Sequence, residues 1–140
     1  MPPRANTLEL KIASDPANLA AARKSVEQLC RTVGFDENAI GEIGLCVNEA
    51  MANVIRHAYN NAVNKPIEIC AYFDGRQIVI AIRDWGNGID PRQLPKKPHD
   101  PLTPGGIGMI CIEKMLDEAR FEPQRDGMLL TMKRSKTRAA

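Results

Sequence analysis

A carboxylate and a carboxamide lie one helical turn apart in the segment LCVNEAMANVIRHAY, residues 45–59. Glu49 and Asn53 are four residues apart, so on a helix they fall on one stripe. The Asn53 oxygen is a hard ligand, which suits Mg²⁺ that also contacts phosphates and water. Glu49 is then placed to orient or deprotonate a nucleophile near a terminal phosphate. By itself, such a pair usually just faces solvent, so this chemistry needs support from other motifs.

A second motif, DWGNGI, follows directly after an apolar alternating segment and contains Asp84, Gly86 and Gly88. Asp84 falls on the same face of the predicted strand as Ile82, so its carboxylate points inward. A carboxylate that points inward needs a hydrogen-bond donor, and an adenine amino group is one such donor. Asp-x-Gly-x-Gly after a strand is also often only a turn.

A third motif, GGIG, stands where a proline-rich loop enters a predicted helix and contains Gly105, Gly106 and Gly108. Glycines permit close backbone approach and positive φ, and a helix N-terminus offers free N–H groups that suit phosphates. The pattern is also typical of a flexible helix entry. Three side chains of the same loop are able to contact phosphates or simply to be solvated: Lys96, Lys97 and Thr103.

The composition is that of one ordinary globular domain over residues 1–140, with 44% hydrophobic and 26% charged residues. A net charge of +2 does not favour direct nucleic-acid binding, and the basic C-terminus KRSKTRAA is interpreted as a solvated tail. No segment approaches the roughly 18 apolar residues that cross a membrane, and the N-terminus lacks a signal-peptide core. We therefore expect a cytoplasmic protein without membrane contact.

Four cysteines are widely spaced in apolar surroundings, without a C-x-x-C pair: Cys30, Cys46, Cys70 and Cys111. They are predicted to be buried free thiols rather than disulfides or metal ligands. With only His57 and His99 as imidazole ligands, a zinc site would be hard to assemble.

Periodicity predicts the elements that must position these motifs. Residues 7–13 alternate as a strand, Ser14 or Asp15 caps a helix that ends near Gly34, and Asp36 caps a second helix carrying Glu49 and Asn53. Two hairpins are predicted, one across residues 74–76 and one across residues 124–127. The segment IGMICIEKMLDEA, residues 107–119, is predicted as a third helix between the hairpins.

This order of elements favours an α+β fold, a two-layer sandwich with three helices on one face of a five-stranded, mostly antiparallel sheet. Neither an internal repeat nor a domain boundary is recognisable in the sequence.

Taken together, the three motifs in this order resemble the GHKL ATPase superfamily, which includes gyrase, Hsp90, histidine kinases and MutL and has the Bergerat fold. NEAMANVIRHAY, RDWGNGID and GGIGMICIEKMLDEARFE are most similar to the bacterial anti-sigma-factor serine kinases. The resemblance covers nearly the whole chain.

The resemblance implies a role for each motif. ATP and Mg²⁺ would be the cofactors, with Asn53 as the metal ligand, Glu49 as the general base and Asp84 on the adenine amino group. The glycines would shape the adenine pocket (Gly86, Gly88) and close on the phosphates as part of a lid (Gly105, Gly106, Gly108). The family pattern does not require an arginine at position 56, so Arg56 is expected to be solvated, whereas His57 is expected to be structural rather than catalytic.

Implied partners are a sigma factor, which the protein would sequester, and an anti-anti-sigma antagonist phosphorylated on Ser or Thr, with a homodimer possible. The alternative function is a sequestering module that binds nucleotide without useful phosphotransfer. A two-component histidine kinase is disfavoured because no phospho-acceptor helix precedes the fold, and a gyrase-like or Hsp90-like motor because it needs further domains.

Overall fold

The computed structural model describes residues 6–86 and 114–137. Its helices and strands are β1 (Thr7–Ala13), α1 (Leu19–Thr32), α2 (Glu37–Asn53), β2 (Pro66–Phe73), β3 (Gln77–Asp84), β4 (Glu118–Gln124) and β5 (Gly127–Ser135). A 3-10 turn, Pro16–Asn18, leads into α1, and a π-helical turn, Val54–Ala58, continues α2.

The strands form one five-stranded sheet in the order β1-β2-β3-β5-β4. Each of the four pairings is antiparallel, including both predicted hairpins, β2–β3 and β4–β5. The predicted α+β fold with an antiparallel sheet is confirmed. β3, which leads to the second motif, has a neighbour on each side, so its last residue is held by β2 and β5.

The core lies between the sheet and the two helices. Alternate residues of each strand point to this layer, and the helices contribute the predicted stripes. The largest fully buried side chains come from both layers: Val26, Ile40, Ile43, Val47, Met51, Ile67, Ile69, Ile78, Ile80, Ile82 and Met132. No helix among the described residues is long and apolar enough to cross a membrane.

The 3-10 turn before α1 and the helix α2 each begin at a side-chain cap, whereas Asn18, the N-cap of α1 itself, makes no side-chain cap bond. Asp15, not Ser14, makes the first cap by accepting from the Ala17 N–H at 2.9 Å, whereas Ser14 is fully buried and accepts from the Lys65 N–H at 3.1 Å. Asp36 caps α2 by accepting from the Ala39 N–H at 2.7 Å, as predicted. The direction of α2, and therefore of Glu49 and Asn53, is set from this cap.

The predicted third helix extends too far at its C-terminal end. Most of it lies outside the described residues, and of the rest only Lys114 and Met115 are helical. Glu118 and Ala119, predicted as the end of this helix, instead begin β4, where they pair with Lys133 and Met132. The conformation of Glu118 and Ala119 is therefore determined by pairing with β5 rather than by the helical spacing of their apolar neighbours.

The described cysteines form no disulfide with one another, as predicted, but the prediction that all are buried is wrong for Cys70. Cys30 and Cys46 are buried, and burial raises the pKa of Cys30 to about 12. Cys70 is exposed because it lies on the outer face of β2, opposite Glu9 of β1. Cys111 lies outside the described residues.

Candidate functional site

Asp84 is a buried carboxylate at the end of a central strand. It is 3% exposed and shares the inner face of β3 with Ile82. Its Oδ1 accepts from the Gly86 N–H at 3.0 Å. Burial raises the pKa of the Asp84 carboxyl, while the Gly86 N–H, the Arg83 guanidinium and the Met128 N–H act in the opposite direction. A carboxylate has about four acceptor directions, so these two N–H groups leave room for a further donor.

The turn after Asp84 is pinned to the end of the helical segment that carries Glu49 and Asn53. Trp85 donates its backbone N–H to the Tyr59 hydroxyl at 2.8 Å, and that hydroxyl donates to the Pro66 carbonyl at 2.5 Å. Burial raises the pKa of Tyr59, which keeps the phenol neutral and able to donate.

Gly86 is required by this packing. A Cβ at Gly86 would lie 2.7 Å from the Ala58 carbonyl carbon, 2.8 Å from its Cβ and closer still to its carbonyl oxygen. A side chain at this position therefore has no space unless the turn moves away from the helix end.

Asn53 and Glu49 lie on the last two turns of α2. Asn53 is 9% exposed and Glu49 is half-buried. Among the described residues, no hydrogen bond or ion pair engages the Glu49 carboxylate. Ala58, against which Gly86 packs, lies five residues beyond Asn53, about 7 Å along the helix axis. Glu49 and Asn53 therefore lie near the helix end that packs against the turn after Asp84.

A π-helical turn follows Asn53 immediately. The Tyr59 N–H donates to the Val54 carbonyl at 3.0 Å, a bond that spans five residues. Such turns occur frequently at functional sites because they re-aim the side chains that follow. Here the turn brings Tyr59 under the Asp84–Gly86 turn.

Arg56 is exposed, as predicted, yet it is bonded to the proposed metal ligand. Its Nη2 donates to Asn53 Oδ1 at 2.6 Å. His57 is also exposed, so it does not serve as a packed structural residue; in HAY, the buried residues are Ala58 and Tyr59.

The donor set fits a magnesium ion that arrives with phosphates. Among residues 6–86 and 114–137, no group of three or more His, Cys, Asp or Glu side chains could hold a metal alone. Asn53 offers one hard oxygen near a half-buried carboxylate. Mg²⁺ commonly takes one or two protein ligands and completes its shell with waters and substrate phosphates.

Several predicted site residues lie outside the part of the chain that the structure describes: Gly88, Gly105, Gly106, Gly108, Lys96, Lys97 and Thr103. Of the predicted site residues, the structure describes Glu49, Asn53, Asp84 and Gly86. Sequence reasoning missed Tyr59 and Gly127. A Cβ at Gly127 would lie 2.7 Å from the Asp84 carbonyl carbon. The Asp-Gly turn pointed to Gly127 only as part of a hairpin.

Most of the chain matches a known protein family. The family described as histidine kinase-like ATPase domain matches residues 12–134. The chain belongs to this family. The matched range includes Glu49, Asn53, Asp84 and both glycine-containing motifs.

Curated relatives of the chain are named as a serine-protein kinase and as an anti-sigma factor. It is 27% identical over 134 residues to "Serine-protein kinase RsbW" of Oceanobacillus iheyensis, covering 90% of this chain and 85% of that one. It is equally 27% identical over 134 residues to "Anti-sigma F factor" of Clostridium acetobutylicum, covering 92% and 93%. The resemblance to the anti-sigma-factor serine kinases is thereby confirmed at the level of family.

Solved structures confirm the fold. The RsbU and RsbW domains of Rv1364c from Mycobacterium tuberculosis superpose with a TM-score of 0.68 at 19% identity, covering 92% of this chain and 32% of that one. The histidine kinase domain from Erythrobacter litoralis EL346 superposes with a TM-score of 0.56 at 16% identity, covering 86% and 60%. This chain therefore spans about a third of the first structure and less than two thirds of the second.

Proposed function

We propose that this histidine kinase-like ATPase domain, residues 1–140, is an anti-sigma factor that sequesters a sigma factor and phosphorylates an anti-anti-sigma antagonist on Ser or Thr. The observation that carries the proposal is the buried Asp84 carboxylate, pinned through Tyr59 and Gly86 to the helical segment bearing Glu49 and Asn53. The names of the relatives supply the partner class. A sigma-factor partner would place the protein in the cytoplasm.

The proposed nucleotide position follows from the chemistry of the described side chains. The adenine amino group donates to the free acceptor directions of Asp84, which is buried enough for that bond to be selective. Asn53 Oδ1 would hold Mg²⁺, which would neutralise charge on the phosphates. The family resemblance implies the remaining roles, the adenine pocket for Gly88 and the phosphates for Gly105, Gly106 and Gly108, which lie outside the described residues.

Phosphotransfer would use Glu49 as the base. The hydroxyl oxygen of the antagonist's Ser or Thr attacks the γ-phosphorus, the bond from that phosphorus to the β–γ bridging oxygen breaks, and ADP leaves. The hydroxyl proton passes to Glu49, whose carboxylate is half-buried and has no partner among the described residues. The products are phosphorylated antagonist and ADP.

The second candidate function is sequestration with nucleotide binding but without useful phosphotransfer. The hydrogen bond from Arg56 to Asn53 Oδ1 favours this candidate, because a cation already contacts the oxygen that is proposed to bind the metal. A kinase assay separates the two candidates.

The test is single-turnover transfer of radiolabelled γ-phosphate at saturating ATP to proteins captured from the native cytosol, with the parent protein and Glu49→Gln. Glu49→Gln keeps the shape of the side chain but cannot accept a proton, so transfer should fall by roughly 10²-fold or more, with ATP affinity within about threefold. Glu37→Gln is the matched control: the same change on the same helix, at an exposed residue whose pairing with Arg31 contributes little to stability.

Three results would decide the matter. Transfer by the parent and by Glu37→Gln, but not by Glu49→Gln, supports the kinase. ATP binding without transfer by the parent supports the sequestering module. Equal transfer by Glu49→Gln and the parent removes Glu49 from its role as base.

A further inference from the structure

The oxygen proposed as the magnesium ligand already faces a cation of this chain. Arg56 Nη2 lies 2.6 Å from Asn53 Oδ1, the short distance of a charge-assisted hydrogen bond. The two residues are three apart at the end of the helical segment, a spacing at which side chains meet on one face. Asn53 is buried and Arg56 is exposed, so the guanidinium covers this oxygen from the solvent side.

A magnesium ion and this guanidinium compete for the same place. Mg²⁺ binds oxygen at about 2.0–2.1 Å. If Arg56 kept its bond, its nitrogen and the metal could stand no farther than about 4.7 Å apart, with like charges on both. Binding of the metal at Asn53 is therefore coupled to release of Arg56 into the solvent.

We propose that Arg56 is a resident cation on Asn53 that Mg²⁺ must displace, so that Arg56 sets the magnesium concentration at which this protein takes up nucleotide. The inference rests on the metal role proposed for Asn53. Arg56 is a positioning residue: it acts by holding the Asn53 carboxamide and by opposing the metal.

Release of Arg56 is physically accessible because its side chain is exposed. Asn53 is the partner that the structure gives Arg56, and Glu49 lies further back on the same helix without a partner among the described residues. Since an exposed charge-assisted bond is worth only part of its buried value, the competition should shift magnesium affinity rather than abolish it.

The experiment is a magnesium titration at fixed ADP, with thermal melting followed by the fluorescence of Trp85, the single tryptophan. The measured quantity is the Mg²⁺ concentration that gives half of the ADP-induced rise in Tm. Arg56→Met removes both the bond and the charge at similar length, and Arg56→Lys keeps the charge. Arg31→Met makes the same charge change near the other end of α2, where Arg31 pairs with Glu37, about 24 Å from Asn53 along the helix.

Arg56→Met should lower the half-saturating Mg²⁺ concentration about five- to tenfold, a tenfold change being about 1.4 kcal/mol. Arg56→Lys should stay within about threefold of the parent, and Arg31→Met within about twofold, because distant exposed charges are screened. An unchanged or raised half-saturating concentration for Arg56→Met overturns the proposal.

Asn53→Ala separates this failure from failure of the proposed function. If Asn53→Ala loses the magnesium dependence while Arg56→Met behaves like the parent, only the competition is refuted. If Asn53→Ala keeps the parent's magnesium dependence, or the parent shows no magnesium-dependent stabilisation by ADP, the metal role of Asn53 falls and the inference falls with it.

Discussion

Gly86→Ala tests the contact that joins the Asp84 turn to the helix end. The new Cβ would lie 2.7 Å from the Ala58 carbonyl carbon and 2.8 Å from its Cβ. Carbon atoms pack at about 3.5–4.0 Å, so the turn or the helix end must move by roughly 0.7–1.2 Å. Neither neighbour is the free end of a flexible side chain, because the carbonyl belongs to the π-helical turn.

The expected cost is that of overpacking, about 1–3 kcal/mol. For a chain of this size, Tm should fall by about 3–5 °C for each kcal/mol. The displacement also pulls on two bonds at the site, Gly86 N–H to Asp84 and Trp85 N–H to Tyr59. ADP affinity should therefore fall by about tenfold or more, since a positioned group loses much of its effect when displaced by about 1 Å.

The assay is thermal melting together with ADP binding, for Gly86→Ala and for the same substitution at Gly41. A Cβ at Gly41 meets nothing within 4 Å, and Gly41 lies inside α2, where alanine is favoured over glycine by about 0.5–1 kcal/mol. Gly41→Ala should raise Tm and leave ADP affinity unchanged. If Gly86→Ala matches the parent in both Tm and affinity, the turn is not held against Ala58 and the reasoning is wrong.

Two further predictions concern the metal ligand and the acid. Asn53→Ala should weaken magnesium-dependent ADP binding by about tenfold or more, because the metal loses one oxygen ligand. Metal-free ADP binding should stay within about threefold of the parent, because the adenine contact is kept. Calorimetry with Mg²⁺ and with chelator would show an equal loss of affinity under both conditions if Asn53 were not a ligand. ADP affinity should fall as the pH drops toward and through the raised pKa of Asp84, because protonation removes the charged acceptor, and Asp84→Asn should flatten this part of the profile. A parent profile that coincides with that of a folded Asp84→Asn protein as the pH falls would contradict the assignment.

In the ligand-free protein, the contribution of Asp84 to folding stability should change with pH in the opposite direction to the ADP affinity. Because the folded pKa of Asp84 is raised, the folded state binds its proton more readily than the unfolded chain does. Between the ordinary value of 3.8 and the raised value, the contribution of Asp84 therefore becomes less destabilising as the pH falls. The carboxylate is retained at a cost to the fold, as expected of a binding group.

Local patterns were sufficient to predict most of the secondary structure. The alternation of β1, the Asp36 cap and both hairpins follow from side-chain periodicity and turn residues, and the structure has them at the predicted places. The start of β4 was missed because LDEA has helical spacing, and only pairing with β5 makes Glu118 and Ala119 a strand. Cys70 was placed wrongly because its exposure depends on which face of the sheet the helices cover.

The candidate site was only partly predictable. Glu49, Asn53, Asp84 and Gly86 stand in recognisable motifs, but the contacts that hold them depend on residues distant in sequence. Tyr59 reaches Trp85 across 26 positions, and no local pattern reports such a bond. The Arg56–Asn53 bond was local, yet a three-residue spacing alone does not distinguish it from a solvated arginine.

Calorimetry of Mg-ADP against Mg-GDP measures whether Asp84 selects adenine in the proposed nucleotide site, on which the proposed function depends. The parent should bind ADP at least about tenfold more tightly than GDP, because guanine presents an acceptor where adenine presents the amino donor and would leave the remaining acceptor directions of the buried carboxylate unpaired. Asp84→Asn, whose amide can donate as well as accept, should weaken ADP binding and reduce this preference to within about threefold. Equal affinity of the parent for ADP and GDP, or an undiminished adenine preference in a folded Asp84→Asn protein, would contradict the account.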